Sequence, residues 1–419
     1  MRPELLVLTG LHAAGVEAVV DRIRTLDPDV AVLHHDLRDI GDGDGPGAVH
    51  RRLRRGADDH TVTLQLAHGC VSCTLREDLL PTLRSLAAAD GPRRIVLHLD
   101  PALEPEQLCW SLLHVLVDGR PVTDDVDLRG VVTCIDTPNW LDDATGDDVL
   151  VERGIADPGG AVDERTVAQV AVGQAEFADL IVTTGVADAW TTVRTGAVLS
   201  RLAPAAGRIA IGELDRRVFL RTLPSGARRG RPDDVHGALL RGQPPLGSDC
   251  GVHTVLFSAR RPFHPERLHN AIDVLLDGVV RTRGRIWLAT RPDAVLWLES
   301  AGGGLRVGHA GDWLAGAGDD AWEHVSPERR TIAALGWHPR FGDRSQDVVA
   351  ITHDAEPEEI MRALHAALLT DAELATGEAA WALLEDPFGW WHTDPCETST
   401  STVGGPPDHR AADHGTEEH

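Results

Sequence analysis

Six short apolar runs in the first half of the chain limit its fold more than any other feature. They are ELLVLTG (4–10), DVAVLHH (29–35), TVTLQLA (61–67), RRIVLHLD (93–100), LRGVVTCID (128–136) and ADLIVTTG (178–185). Several are near-continuous in Val, Ile and Leu, the pattern of strands covered on both faces. Helical patterns fall between most of them, which predicts an α/β sheet of βα units over residues 1–205. Residues 206–250 are rich in Gly, Pro and Arg with weak periodicity and read as a linker. Short strands resume at VHTVLFSA (252–259), GRIWLAT (284–290), AVLWLES (294–300) and GGLRVGHA (303–310), with a helix at PEEIMRALHAALL (357–369). Ile360, Leu364 and Leu368 form its apolar stripe, and Thr370 with Glu373 makes a capping box for a further helix. This order predicts a smaller α+β domain over 251–395, followed by a polar tail, 396–419, expected to be disordered.

Charge narrows the range of partners. The chain has 40 basic against 65 acidic residues, a formal net charge of -25, and it contains no lysine and no tyrosine. Chemistry that needs a lysine ammonium is therefore excluded. The acidic balance argues against DNA and against sequence-independent nucleic-acid binding, which rests on phosphate neutralisation. It suits a basic protein as partner. The basic runs RRLRRG (51–56) and GARRGR (226–231) read as solvated loop charge. Six cysteines in 419 residues do not make a disulfide framework. The first residues read as a strand and not as a leader, and no apolar run approaches the roughly 18 residues of a membrane span. A cytoplasmic protein without membrane partners is expected.

Two motifs carry candidate chemistry. After the first strand, GLHAAGVE (10–17) keeps both glycines of the phosphate-binding frame GxxxxGK[ST], Gly10 and Gly15, as a cofactor-binding candidate. Val16 stands in place of the lysine, and Glu17 in place of the hydroxyl that holds Mg²⁺. A carboxylate there opposes phosphate charge. The plain alternative is a βα turn that keeps its glycines for geometry. The second motif is HGCVSC (68–73), with Cys70 and Cys73 two residues apart and His68 just before them. Two thiolates at that spacing can bind one soft cation, with His68 as third ligand. They can also form a redox couple at a helix start, or be two buried thiols. Spacing alone leaves these three readings open.

Longer stretches add to the motifs. AHGCVSCTLREDLLPTLRSL and IVLHLDPALEPEQLCW in the first half, with RPFHPERL, RTRGRIWLATRPD, FGDRSQDVV, LLTDAEL and DPFGWWHTDPC in the second, resemble the CobW-type family of P-loop GTPases and zinc metallochaperones. Within it, the likeness is greatest to the branch of ribosome hibernation factor-recruiting GTPases. The resemblance extends to about residue 396. It implies a P-loop-NTPase-like sheet with flanking helices followed by a CobW C-terminal domain. It also implies zinc as the metal at Cys70 and Cys73, with His68 as third ligand by proximity. The ligand-type residues His392 and Cys396 of WWHTDPC are a second candidate site, the alternative being a tail packed by Trp390 and Trp391.

The departures matter as much. The family's GCxCC reads here as Gly69-Cys70-Val71-Ser72-Cys73. Its Glu-x-x-Gly reads as His98-Leu99-Asp100-Pro101, and Pro101 has no N–H for a γ-phosphate. Its guanine-reading NKxD falls on VTTGVAD, with Thr184 and Gly185 for Asn and Lys, and Ala187 or Asp188 for Asp. With three nucleotide elements altered together, little or no GTP hydrolysis is expected and no catalytic residue is assigned. The resemblance implies a zinc-responsive protein that recruits a ribosome hibernation factor, a basic protein, and through it contacts the ribosome. The alternative is a GTP-dependent zinc metallochaperone serving a client protein.

Overall fold

Alternation along β1 (Glu4–Thr9) explains its unbroken apolar sequence. Leu5 and Val7 face one layer of the fold, Leu6 and Leu8 the other, and all four are buried. In this computed structural model the described residues are 2–37, 48–65, 71–88, 91–155, 163–215, 227–232, 235–240 and 242–389. Within the helices, the side chains of 71–75 and 319–321 lie outside the description. The tail 396–419, His68, Cys70, His392 and Cys396 also lie outside the described residues.

The first sheet also contains β2 (Ala31–Asp36), β3 (Ala48–Arg55), β4 (Asp58–Gln65), β5 (Arg94–His98), β8 (Asp127–Asp136), β9 (Leu180–Thr184) and β10 (Gly207–Ala210). A small hairpin, β6 (Leu116–Val117) and β7 (Arg120–Pro121), stands apart from it. The strand order is β10-β9-β8-β1-β5-β2-β3-β4, parallel from β10 to β2, with β3 and β4 antiparallel at one edge. Helix α1 (Ala13–Leu26) covers one face through Val16, Val19, Val20 and Ile23. Helices α2 (Val71–Leu86) and α3 (Pro105–His114) cover the other, with Leu79, Leu80, Leu83 and Leu112 on Leu33, Ile95 and Leu97. The chain turns to opposite sides of β1 on either flank, so the strand ends around β1 form the cleft where open α/β sheets bind ligands.

The second sheet is antiparallel, in the order β11 (His253–Ala259), β15 (Gln346–Thr352), β12 (Val279–Ile286), β13 (Ala294–Ala301), β14 (Gly304–Asp312). The helix Pro357–Ala367 packs on it through Ile360, Leu364 and Ala367, and ends one residue before Leu368. Thr370 and Glu373 form the capping box expected from the sequence. The two sheets share a core: Val252, Val280, Ala301 and Ile351 pack with helices α4 (Trp140–Thr145), α5 (Val167–Glu176) and α6 (Ala189–Leu202). At that junction Glu176, 11% exposed, forms ion pairs with Arg281 at 3.0 Å and Arg283 at 2.6 Å. Burial works against its charge, yet the two guanidiniums hold the carboxyl below the ordinary glutamate range.

Two local readings change. RRLRRG is strand β3 and not a loop, and each of its arginines has a carboxylate partner: Arg51 with Asp78, Arg52 with Asp59, Arg54 with Glu17, Arg55 with Asp29. The stretch read as a linker opens with β10, which pairs with β9. Pro81 lies inside α2, where it removes one intrahelical hydrogen bond without ending the helix.

Candidate functional site

The turn after β1 is shorter than a phosphate cradle. α1 starts at Ala13 with His12 as its N-cap, inside the GxxxxG frame. The amides of Gly15 and Val16 both donate to His12 O, at 3.0 and 3.2 Å. In a phosphate-binding loop such amides face the ligand; here they are used within the turn. The two glycines are required by packing. A Cβ at Gly10 would stand 2.7 Å from Val16 Cγ2, and one at Gly15 2.8 Å from Thr184 Oγ1.

Each side chain at a degenerate position has an internal role. Val16, in the lysine position, is 1% exposed and packs under β1. Glu17, in the Mg²⁺-hydroxyl position, receives both terminal nitrogens of the buried Arg54, at 2.9 and 3.1 Å. His98 ends β5 beside this pair, with Nδ1 3.6 Å from Glu17 Oε1, and its ring stacks on His34 at 4.1 Å between centroids. Burial, then the neighbouring His34 and Arg54, push the His98 imidazole down to about 3, so it is neutral at pH 7. Asp100, at the next turn, accepts from Leu37 N and Ala102 N, both at 3.0 Å, and burial raises its pKa.

The far side of the cleft is similarly committed. Asp188 is the N-cap of α6, accepting from Trp190 N, Thr191 N and Thr191 Oγ1. The Thr191 hydroxyl leads in holding its pKa low. A carboxylate spent on a helix cap is not presented to a guanine edge. Thr184 donates to Ile135 O at 3.3 Å. His12 Nε2 lies 2.6 Å from Oδ2 of the buried Asp143, and that contact raises the His12 pKa. Beside it opens a cleft of about 300 Å³ lined by Asn139, Asp142, Asp143, Asp148 and Arg153. Three carboxylates against one guanidinium disfavour a polyphosphate there.

Sequence reasoning located Val16, Glu17, His98, Asp100, Thr184 and Asp188 but missed His12–Asp143, Arg54 and His34. Arg54 had a usable signal: Arg55-Gly56-Ala57-Asp58 has the two-residue hairpin form with Gly first.

Of the metal candidates, Cys73 falls in a described element. α2 feeds β5 and therefore runs opposite to it, which places its first turn, with Cys73, at the carboxyl ends of the parallel strands. Asp78 fixes the helix there, accepting from Arg51 at 2.6 Å and standing 2.8 Å from His35 Nε2. Among the described residues, no group of three or more His, Cys, Asp or Glu side chains is arranged to hold a metal ion. Cys109 and Cys134 are core thiols, and burial raises both, that of Cys134 to about 11. His68, Cys70 and Cys73 would supply a thiolate–imidazole set, a donor chemistry that fits zinc.

Comparison with known proteins gives the family. Residues 7–203 match the CobW/HypB/UreG nucleotide-binding domain, and residues 252–368 the cobalamin synthesis protein cobW C-terminal domain. The chain is 50% identical over 349 residues to a Mycobacterium tuberculosis protein named zinc chaperone, spanning 81% of this chain and 83% of that relative. It is 25% identical over 339 residues to the zinc-regulated GTPase metalloprotein activator 1 of Dictyostelium discoideum, spanning 78% of this chain and 70% of the relative. No helix among the described residues is long and apolar enough to cross a membrane. With both domain models matched in order and 50% identity over 81% of its length to the relative named zinc chaperone, this chain belongs to the CobW family.

Proposed function

We propose that this protein is a zinc metallochaperone: it takes zinc as cargo on Cys70, Cys73 and His68 and passes it to a client protein. The 50% identity to a relative named zinc chaperone carries this reading. The position of Cys73 in the first turn of α2 supports it, because a helix N-terminus favours the thiolate that binds metal. Three ligands leave zinc an open fourth position through which a client ligand can enter, as transfer requires. Delivery runs with little or no GTP hydrolysis, supported by the Glu17–Arg54 pair and the internal bonds of Gly15, Val16 and Asp188.

Transfer tests this directly. Zinc-loaded protein is mixed with a zinc-stripped client metalloenzyme, with and without Mg²⁺-GTP, under a chelator that suppresses free zinc. Recovery of client activity at the same rate in both arms is expected. No recovery removes the chaperone reading, and a strict GTP requirement removes its nucleotide-independent form.

A second reading is recruitment of a basic ribosome hibernation factor when zinc is scarce, as in the branch named from the sequence. The net charge of -25 favours it. The names of the relatives support zinc delivery better. Salt-sensitive capture of a hibernation factor from zinc-limited cells, lost from zinc-replete cells, would favour recruitment.

A further inference from the structure

Strand β4 closes one edge of the eight-stranded sheet, and no described residue pairs with its outer side. Its side chains are exposed on both faces from Asp58 to Thr63. The hairpin fixes which backbone groups face outward. A two-residue turn, with Gly56 at φ +55, closes on the pair Arg55–Asp58. Such a turn closes on a mutually hydrogen-bonded pair, so Asp58, His60, Val62 and Leu64 bond β3. Asp59, Thr61, Thr63 and Gln65 therefore direct N–H and C=O away from the sheet.

Sheets usually guard such an edge with lysine, proline, a bulge or an inward charge. The register with β3 is unbroken, and Thr61 to Gln65 carry neither charge nor proline. The strand is also complementary to itself. An antiparallel ladder must join outward-facing residues to outward-facing residues. A two-fold axis at Val62 satisfies this, pairing Thr61 with Thr63 and Asp59 with Gln65 of a second copy. His60 then faces Leu64, and Val62 faces its own counterpart at a non-hydrogen-bonded position, where side chains approach most closely. No like charges meet, and the half-exposed Val62, 42% accessible, is covered. The geometry points to a homodimer in which two β4 strands join the sheets of two copies into one.

Position 62 supplies a test specific to this register, because it meets only itself. Val62→Lys and Val62→Glu place like charges face to face on an exposed residue, so the fold is retained. Sedimentation equilibrium of the full chain across a dilution series is expected to show a wild-type dimer, weakened about tenfold in each variant. Mixing the two variants is expected to restore association as a heterodimer. Thr61→Pro removes an outward N–H without touching the β3 ladder and should also weaken the dimer. A wild type that is monomeric at every concentration overturns the proposal. So does a dimer indifferent to both Val62 substitutions and to Thr61→Pro, or one not restored by the mixture.

Discussion

His98 and His12 stand near the same strand ends with opposite electrostatics. His98 is buried with its pKa pushed down to about 3, whereas His12 is held up by its contact with Asp143. The sign for His98 follows from linkage. Below pH about 6.5 the unfolded chain takes up a proton that the folded protein refuses, so stability falls as pH drops from about 6.5 toward 3. His12 works the other way, contributing stability at low pH that is lost as pH rises through its raised folded pKa. We expect His98→Phe to flatten the acid limb of stability between pH 6.5 and 4, by on the order of 1–2 kcal/mol at pH 4.5. Urea titrations at several pH values read this. An unchanged acid limb would show that His98 does not carry it. None of this was legible in the sequence, where HH (34–35) and His98 lie some sixty residues apart and only strand pairing stacks His34 on His98.

At the scale of elements, the turn after β1 and the β3–β4 hairpin act together. The sequence made the loss of lysine and hydroxyl readable at Val16 and Glu17, because the glycine frame fixes those positions. It hid the compensation. β3 reads as a basic loop, since its alternation is Arg-rich and β2–β3 pairing places Arg54 beside Val32 and under α1. The consequence is measurable. Glu17→Thr, which puts a hydroxyl back in the Mg²⁺ position, leaves the Arg54 guanidinium buried without its carboxylate. We expect a loss of about 2 kcal/mol, reduced from the fully buried case because Glu17 is 40% exposed. Adding Arg54→Met should recover most of it, a coupling that a double-mutant cycle in chemical denaturation detects. Additive losses would mean that the pair does not stabilise the turn.

The whole molecule is two sheets locked through one core, with Glu176 of the first domain paired with Arg281 and Arg283 of the second. Apolar runs on both faces of a strand announced the first sheet, and its order around β1 places the Cys73 turn and the altered nucleotide elements at one edge. The junction was not legible, since it depends on long-range contacts between α5 and β12 that no local pattern signals. The proposed function puts a zinc cargo site at the start of α2, while Glu17 and Asp188, at the altered nucleotide elements, are bonded within the protein. Elemental analysis of purified wild type and of Cys70→Ser/Cys73→Ser, prepared without nucleotide, tests that most directly. The expected result is about one zinc per wild-type chain and none in the double variant, with unchanged thermal unfolding of the apo forms. Equal zinc in the two proteins would contradict it.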